Sequence, residues 1–224
     1  MILAIETSDR LCSVAFYHQG RTLMEFNNEL PMQHTSLVGR WVGEGLSFIA
    51  GQPAHAGLKV HAVAVNNGPG SFTGLRIGLS YGRGYAYGKN LPMVALSNHQ
   101  VLAVQAPVTK RPLFTLIHSR KGEVYLAEIE WRDDFPLLRE HRTSLLEKIS
   151  GHVPGDAVLA LSPYLNLDAA LKKEWRDTGL LLLESTRYNA SLTARLGQRK
   201  LELFGPDEDK ALDPMYIHPF AGSL

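Results

Sequence analysis

The chain lacks several sequence features that by themselves indicate a class of protein. Its 224 residues include one cysteine, Cys12, which excludes an internal disulfide framework and any Cys-x-x-Cys metal or redox motif. No purely aliphatic run is longer than the five residues at 157–161, far below the ~20 residues that cross a bilayer, so we expect no membrane span. The first residues carry no basic segment and do not fit a secretory signal. With the single cysteine, these absences favour the cytoplasm.

The sequence also lacks an excess of charge of either sign. Lys and Arg number 23 against 22 Asp and Glu, which gives a formal net charge of +1. Proteins that hold nucleic acid through their own charge are usually basic, so strong autonomous binding to nucleic acid is not expected. The hydrophobic fraction of 45% is ordinary for a globular chain, and we expect the whole chain to fold.

The order of apolar runs indicates an α/β chain built from two similar halves. The first half predicts strands at 2–5, 12–17 and 22–26, a helix at 35–49, a strand at 60–65, a helix at 72–87, a strand at 92–95 and a short helix to 104. The second half predicts strands at 113–117, 124–129 and 137–141, a helix at 143–149, a strand at 157–161, a helix at 165–175, a strand at 180–183 and a helix at 191–204.

This repeated βββαβα order is typical of the duplicated fold of actin, hexokinase and Hsp70, also called the ASKHA or ribonuclease H-like fold. We therefore predict an α/β protein with two actin-like subdomains, at 1–104 and 105–224. The last helix and the tail are candidates to pack back on the first subdomain.

A glycine-rich segment at 66–78 follows a predicted strand and begins a predicted helix. Backbone amides in that position can hold an anion, and the turn after the first predicted strand is where an actin-like fold places phosphate-facing groups. The spacing nevertheless fails the dinucleotide fingerprint, the P-loop and the esterase elbow. The candidate anion or nucleotide site consists of Thr7, Ser8, Gly68, Gly70 and Ser71. Structural use of the glycines is the alternative.

Glycines recur at every fourth residue on both predicted helices of the first half. Gly74, Gly78 and Gly82 leave one face of the second helix without side chains, and Gly39 and Gly43 do the same on the preceding helix. Each glycine costs ~1 kcal/mol of helix stability against alanine, so a stripe of them indicates close approach of another backbone. Two explanations stay open: packing on the protein's own sheet, or an interface with another chain, including a second copy.

The sequence contains no recognisable catalytic or metal-binding constellation. The histidines have no metal-ligand spacing; His34, for example, is followed at i+3 and i+4 by Leu37 and Val38. Ser71 has no neighbouring base that would activate it as a nucleophile. We therefore expect no catalytic residue, no metal and no cofactor, apart from weak nucleotide binding at the candidate anion site.

The eleven residues from Gly68 to Gly78, GPGSFTGLRIG, resemble the TsaB (YeaZ) family of accessory proteins, which help to make threonylcarbamoyladenosine on tRNA. Stretches at 2–8, 33–36, 120–125 and 213–217 are similar to the same family. The resemblance implies an actin-like fold and a non-catalytic subunit that binds the catalytic paralogue TsaD, with the ATPase TsaE in the same assembly. It also implies that tRNA is contacted only indirectly and that the free chain is a homodimer.

The resemblance also assigns residues, because the family uses the region of the two glycine-striped helices for homodimer and heterodimer contacts. The expected partner interface consists of Gly39, Gly43, Gly74, Leu75, Gly78 and Gly82. The paralogue's His-x-x-x-His metal pair would align with His34 and Val38, so its second ligand is missing here. On this interpretation, Gly78→Leu should abolish complex formation and leave the fold largely intact. The alternative function is that of an independent enzyme, either a nucleotide-binding transferase or a peptidase-like protein.

Overall fold

The structure is a computed structural model that describes residues 1–30, 33–120, 122–184 and 186–215. Three residues of the family resemblance, Lys121, Tyr216 and Ile217, lie outside the described residues. Contacts group the described chain into two compact units, one made of Met1–Ser97 and Tyr188–Met215 and the other of Asn98–Arg187. The segments 1–104 and 105–224 differ from these units in extent, and as domains they stay a prediction.

The first unit begins with a five-stranded sheet and two helices. Its elements are β1 (Ile2–Glu6), β2 (Cys12–His18), β3 (Arg21–Asn28), α1 (His34–Ala50), β4 (Ala62–Gly68), α2 (Phe72–Lys89) and β5 (Met93–Ser97). The strand order is β3-β2-β1-β4-β5, in which β1, β2 and β3 form an antiparallel meander and β4 and β5 run parallel to β1. Val63 and Val65 belong to the core that α1 and α2 cover, so both helices lie on one face of the sheet.

The second unit repeats this arrangement of strands. Its elements are α3 (Asn98–Ala103), β6 (Leu113–His118), β7 (Glu123–Arg132), β8 (Phe135–Leu145), α4 (Ile149–His152), β9 (Val158–Leu161), α5 (Ala169–Asp177) and β10 (Leu181–Leu183). The strand order is β10-β9-β6-β7-β8, with an antiparallel meander followed by two strands parallel to β6. Trp175 of α5 is fully buried in the core on one face of this sheet.

The helix predicted at 143–149 is wrong over its first residues. Strand β8 continues to Leu145, a short 3₁₀ turn follows at Leu146–Lys148, and α4 begins only at Ile149. Thr143 and Ser144 pair with Tyr125 and Val124 of β7 across the hairpin. This pairing between strands outweighs the helical spacing of the local sequence.

The last helix, α6 (Ala190–Phe204), packs on the sheet of the first unit, on the face opposite α1 and α2. Its free N-terminal amides are bound by that sheet: Ala190 N donates to Ser13 Oγ at 2.9 Å, and Ser191 N donates to Glu25 Oε1 at 2.8 Å. The carboxylate of Glu25 is also placed favourably for the helix dipole. These contacts explain how a helix from the end of the chain packs on the first sheet.

Both sheets therefore have the same strand order and the same pattern of parallel and antiparallel pairs. The fold is the duplicated actin-like α/β fold with two subdomains that the sequence predicted. Among the described residues, no helix has both the length and the apolar character needed to cross a membrane.

The segment after α6 closes the outer edge of β5. Asp207 Oδ2 accepts a hydrogen bond from Ala95 N at 2.7 Å and lies 2.6 Å from Lys200 Nζ, and Asp207 N donates to Met93 O at 3.0 Å. Both side chains of the ion pair are largely buried, with 19% of Lys200 and 13% of Asp207 exposed. The pair thus covers backbone groups that would otherwise form an open sheet edge.

We expect Asp207→Asn to lower the free energy of unfolding by about 1–2 kcal/mol, because the ammonium group of Lys200 loses its charged partner in a mostly buried position. Urea denaturation of the full chain measures this effect. Asp209→Asn, at an exposed carboxylate two residues further along, is the matched control and should change little. Equal effects of the two substitutions would contradict a special role for Asp207.

Candidate functional site

The glycine stripe of α2 faces the protein's own sheet. A Cβ atom on Gly74 would lie 2.0 Å from the backbone oxygen of Thr7, and one on Gly78 would lie 2.4 Å from Thr7 Oγ1. A Cβ atom on Gly82 would lie 2.7 Å from Val65 Cγ1. All three glycines are buried, so the stripe allows α2 to approach β1 and β4 closely. This is the packing explanation of the sequence analysis.

The expected partner interface is therefore not a single exposed surface. Leu75 is 1% exposed, and Gly74, Gly78 and Gly82 are covered by the sheet. Gly78→Leu should disturb the packing of α2, so the expectation that it would leave the fold largely intact is corrected. Partner binding itself stays a prediction.

The outer faces of α1 and α2 contain other glycines that do have room. Gly43 on α1 and Gly84 on α2 are exposed, and a Cβ atom added to either would meet nothing within 4 Å in the part of the chain that the structure describes. Gly39 is half-buried, and a Cβ atom added to it would lie 3.3 Å from Tyr81 Cε2 of α2. The two helices thus pack against each other at Gly39, and Gly43 and Gly84 lie on their exposed surface.

The turn that follows β1 connects to the first turn of α2 by hydrogen bonds. Thr7 Oγ1 donates to Gly74 O at 2.8 Å, and Ser71 N donates to Ser8 O at 2.7 Å. Ser71 caps α2, because its Oγ accepts from Gly74 N at 3.2 Å. The structure thus brings Thr7, Ser8 and Ser71 together, and it uses their side chains or backbone groups in contacts within the protein.

The two glycines of the candidate anion site differ in their surroundings. Gly68 is buried beside Leu75 and has a φ of +108°, a left-handed conformation that favours glycine. Gly70 is exposed at the start of the loop that leads into α2. Gly68 therefore has a structural use, and binding of an anion by this loop stays a prediction.

Glu6 ends β1 at the position where an actin-like fold places a phosphate- or metal-facing carboxylate, although it is not one of the five residues of the candidate anion site. Its side chain is fully buried, and its Oε1 accepts hydrogen bonds from Ser8 N at 2.6 Å and from Ser8 Oγ at 2.5 Å. Its Oε2 is buried without a hydrogen-bond partner among the described residues. Burial raises the pKa of Glu6 to about 8, against the lowering effect of the Ser8 hydrogen bonds. Glu6 is therefore held mainly as a neutral acid at pH 7.

The histidines do not form a metal centre within the described part of the chain, where no group of three or more His, Cys, Asp or Glu side chains could hold an ion. His34 Nε2 lies 3.1 Å from the backbone oxygen of Asp9, and Val38 is buried. In the second unit, His99 is fully buried, with Nδ1 at 2.7 Å from Thr115 Oγ1, and burial lowers its pKa to about 3. His99 is therefore a neutral core residue, which its scattered position in the sequence did not reveal.

The known proteins to which the sequence is similar carry names from one pathway. The profile of the family described as "TsaD: tRNA N6-adenosine threonylcarbamoyltransferase" matches residues 43–142. A "tRNA threonylcarbamoyladenosine biosynthesis protein TsaB" of Escherichia coli is 36% identical over 138 residues, which cover 59% of this chain and 56% of that protein. The protein of the same name from Haemophilus influenzae is 31% identical over 156 residues, which cover 66% of this chain and 63% of that protein. The alignments thus span about three fifths of these relatives.

Solved structures resemble the chain over nearly its whole length. "YeaZ from Pseudomonas aeruginosa" has a TM-score of 0.72 at 22% identity, covering 96% of this chain and 98% of that one. An uncharacterized protein "with similarity to peptidase YEAZ", also from Pseudomonas aeruginosa, has a TM-score of 0.74 at 21% identity, covering 97% and 99%. At this level of identity the likeness shows the shared fold.

Proposed function

Because the chain belongs to the TsaB (YeaZ) family, we propose that it is an accessory subunit of the machinery that makes threonylcarbamoyladenosine at position 37 of tRNAs that decode ANN codons. In this proposal it binds the catalytic paralogue TsaD and activates it, and it carries out no chemical step of its own. TsaE joins the same assembly. The free chain forms a homodimer, and its location is the cytoplasm, where tRNA is modified.

The proposal rests on one observation, the exposed outer surface that helices α1 and α2 form together. These two helices cover one face of the first sheet, and they lie in the part of the chain where the resemblance places partner contacts. Gly43 and Gly84 give this surface two positions at which a partner backbone could approach closely, because no atom of the described residues occupies the space in front of them.

The contacts at the candidate anion site support an accessory role over an enzymatic one. The hydroxyl groups of Thr7 and Ser71 are engaged with the backbone of α2, and both the amide and the hydroxyl of Ser8 donate to Glu6. A bound phosphate would have to displace these bonds. Calorimetry of the chain with ATP and magnesium tests the alternative, because micromolar binding with turnover would favour a nucleotide-dependent enzyme.

The formal net charge of +1 supports indirect contact with tRNA. A protein that neutralises many phosphates loses affinity steeply as salt rises. The proposal therefore expects weak binding of tRNA by the chain alone, and a steep salt dependence of tight binding would contradict it.

We expect Gly43→Arg and Gly84→Arg each to weaken the complex with TsaD by at least about tenfold, because a long charged side chain then occupies the space for the partner. Titration calorimetry with purified TsaD measures the dissociation constants. Gly151→Arg makes the same change at an exposed helical glycine of the second unit, where a Cβ would also meet nothing within 4 Å, and it should bind normally. Normal binding by both first-unit variants would exclude this surface as the TsaD interface.

A further inference from the structure

Strand β10 lies at one end of the second sheet and pairs with β9 alone among the described strands. Leu181, Leu182 and Leu183 stand opposite Val158, Leu159 and Ala160, and Leu181 N donates to Ala157 O at 3.0 Å. In a parallel ladder, consecutive residues turn their N–H and C=O groups to opposite sides. The N–H and C=O of Leu182 therefore point away from β9, toward the outer edge. An open edge of this kind is a template for another extended segment.

The equivalent edge of the first unit indicates what such an edge binds. Strand β5 has the same place in its sheet as β10 has in the second, and the segment around Asp207 runs along it. There a carboxylate accepts from the outward amide of Ala95, and the ammonium group of Lys200 holds that carboxylate at 2.6 Å. In the repeated fold, the closed edge thus combines an extended segment, an acidic side chain and a cation.

A groove of about 590 Å³ runs beside β10, and its lining contains the last of these components, a cation. Its walls include the leucines of β10 together with Pro107, Arg111 and Arg176. Leu181 is 49% exposed, so an apolar side chain could pack on it. Arg176 is paired with Glu184 at 2.5 Å, whereas Arg111 has no carboxylate partner among the described residues. Arg111 Nη1 donates only to the backbone oxygen of Gly179, at 3.4 Å, among the described residues. The groove therefore supplies an edge, an apolar wall and a cation without a carboxylate partner.

We propose that this β10 groove binds an extended segment of a partner protein, which adds to the edge at Leu182 and places an aspartate or glutamate beside Arg111. Backbone hydrogen bonds to the edge supply affinity, and alternate side chains of the added segment supply specificity. An apolar side chain of the segment packs on Leu181, and its acidic neighbour pairs with the guanidinium group. This surface belongs to the second unit and is separate from the α1 and α2 surface of the proposed function.

Fluorescence anisotropy of the full chain with two labelled peptides tests the proposal. One is an acetylated octapeptide that alternates valine and aspartate, and the other alternates valine and lysine. We expect the acidic peptide to bind at least about tenfold tighter, because only it can pair with Arg111. Arg111→Gln should weaken its binding about tenfold, whereas Lys110→Gln, at the exposed neighbouring residue, should leave it unchanged.

Leu182→Pro tests the edge itself, because proline removes the outward N–H and keeps the bonds that Leu181 makes to β9. This substitution should weaken binding of the acidic peptide about tenfold. Hydrogen exchange at the Leu182 amide of the unaltered chain gives a second readout: bound peptide should slow it. The proposal is overturned if neither peptide binds, if both bind equally, or if that exchange rate does not change. Loss of a homodimer on Leu182→Pro would instead identify a second copy as the occupant and overturn the assignment to a partner protein.

Discussion

Gly74→Ala should lower the free energy of unfolding by about 3 kcal/mol, while Gly84→Ala on the same helix should raise it by about 1 kcal/mol. The added methyl group is the same in both variants, and both gain the helix propensity of alanine. At Gly74 the new Cβ would lie 2.0 Å from the backbone oxygen of Thr7, and neither α2 nor β1 can yield without losing packing. At Gly84 it would meet nothing within 4 Å.

Urea denaturation of the two variants and the unaltered chain measures this difference. Gly78→Ala offers an intermediate case, because its Cβ would meet the hydroxyl oxygen of Thr7, a side-chain atom that can rotate away more easily than a backbone atom. If Gly74→Ala and Gly84→Ala stabilised the chain equally, the close packing of α2 on β1 would be refuted. Urea denaturation of the partner-binding variants likewise shows whether a loss of binding is accompanied by a loss of folding.

Glu6→Gln should remove a fall in stability that the unaltered chain shows between about pH 4.5 and about pH 8. Burial raises the pKa of Glu6 to about 8, so the folded state binds its proton more tightly than the unfolded state. The stabilisation is complete below the unfolded pKa and is lost as the pH rises through the folded pKa. A rise from 4.5 to about 8 corresponds to a loss of about 5 kcal/mol.

Glutamine reproduces the neutral acid and does not titrate. The variant should therefore match the unaltered chain near pH 4 and exceed it in stability by several kcal/mol at pH 9. Free energies of unfolding at pH 4, 7 and 9 measure this change. Glu44→Gln, at an exposed carboxylate paired with Arg40, is the control and should show no such divergence. Parallel pH curves for the Glu6 variant and the unaltered chain would mean that Glu6 ionises normally.

The sequence predicted the secondary structure well where its local pattern and the tertiary contacts agree. The three strands of the first meander and the helix from residue 72 were predicted to within a few residues, because strand alternation and helical spacing are local properties. The prediction was wrong at 143–149, where pairing with β7 extends β8 to Leu145. The repeated order of elements was also sufficient to predict the duplicated actin-like fold, because each βββαβα half forms a sheet with the same strand order.

The candidate site shows where prediction from the sequence ended. Thr7, Ser8 and Ser71 were grouped as a candidate anion site, and they lie close together because each is at the carboxyl end of a neighbouring parallel strand or in the loop that follows it; binding of an anion there stays a prediction. The unpartnered Oε2 of Glu6 could not be foreseen, because burial depends on residues far away along the chain. The neutral state of His99 has the same origin, since Thr115 and the surrounding core come from another strand.

The sequence by itself determined that this is a duplicated α/β chain with a single cysteine, a balanced charge and glycines at every fourth position of α2. Only the tertiary structure decided which way those glycines face. The spacing of the glycines predicts a stripe along one face of the helix. Whether that face packs on the protein's own sheet or on a partner depends on the position of Thr7, which is 67 residues away from Gly74. Because a helix can turn any face toward its sheet, the direction of the stripe follows from long-range packing and not from local sequence.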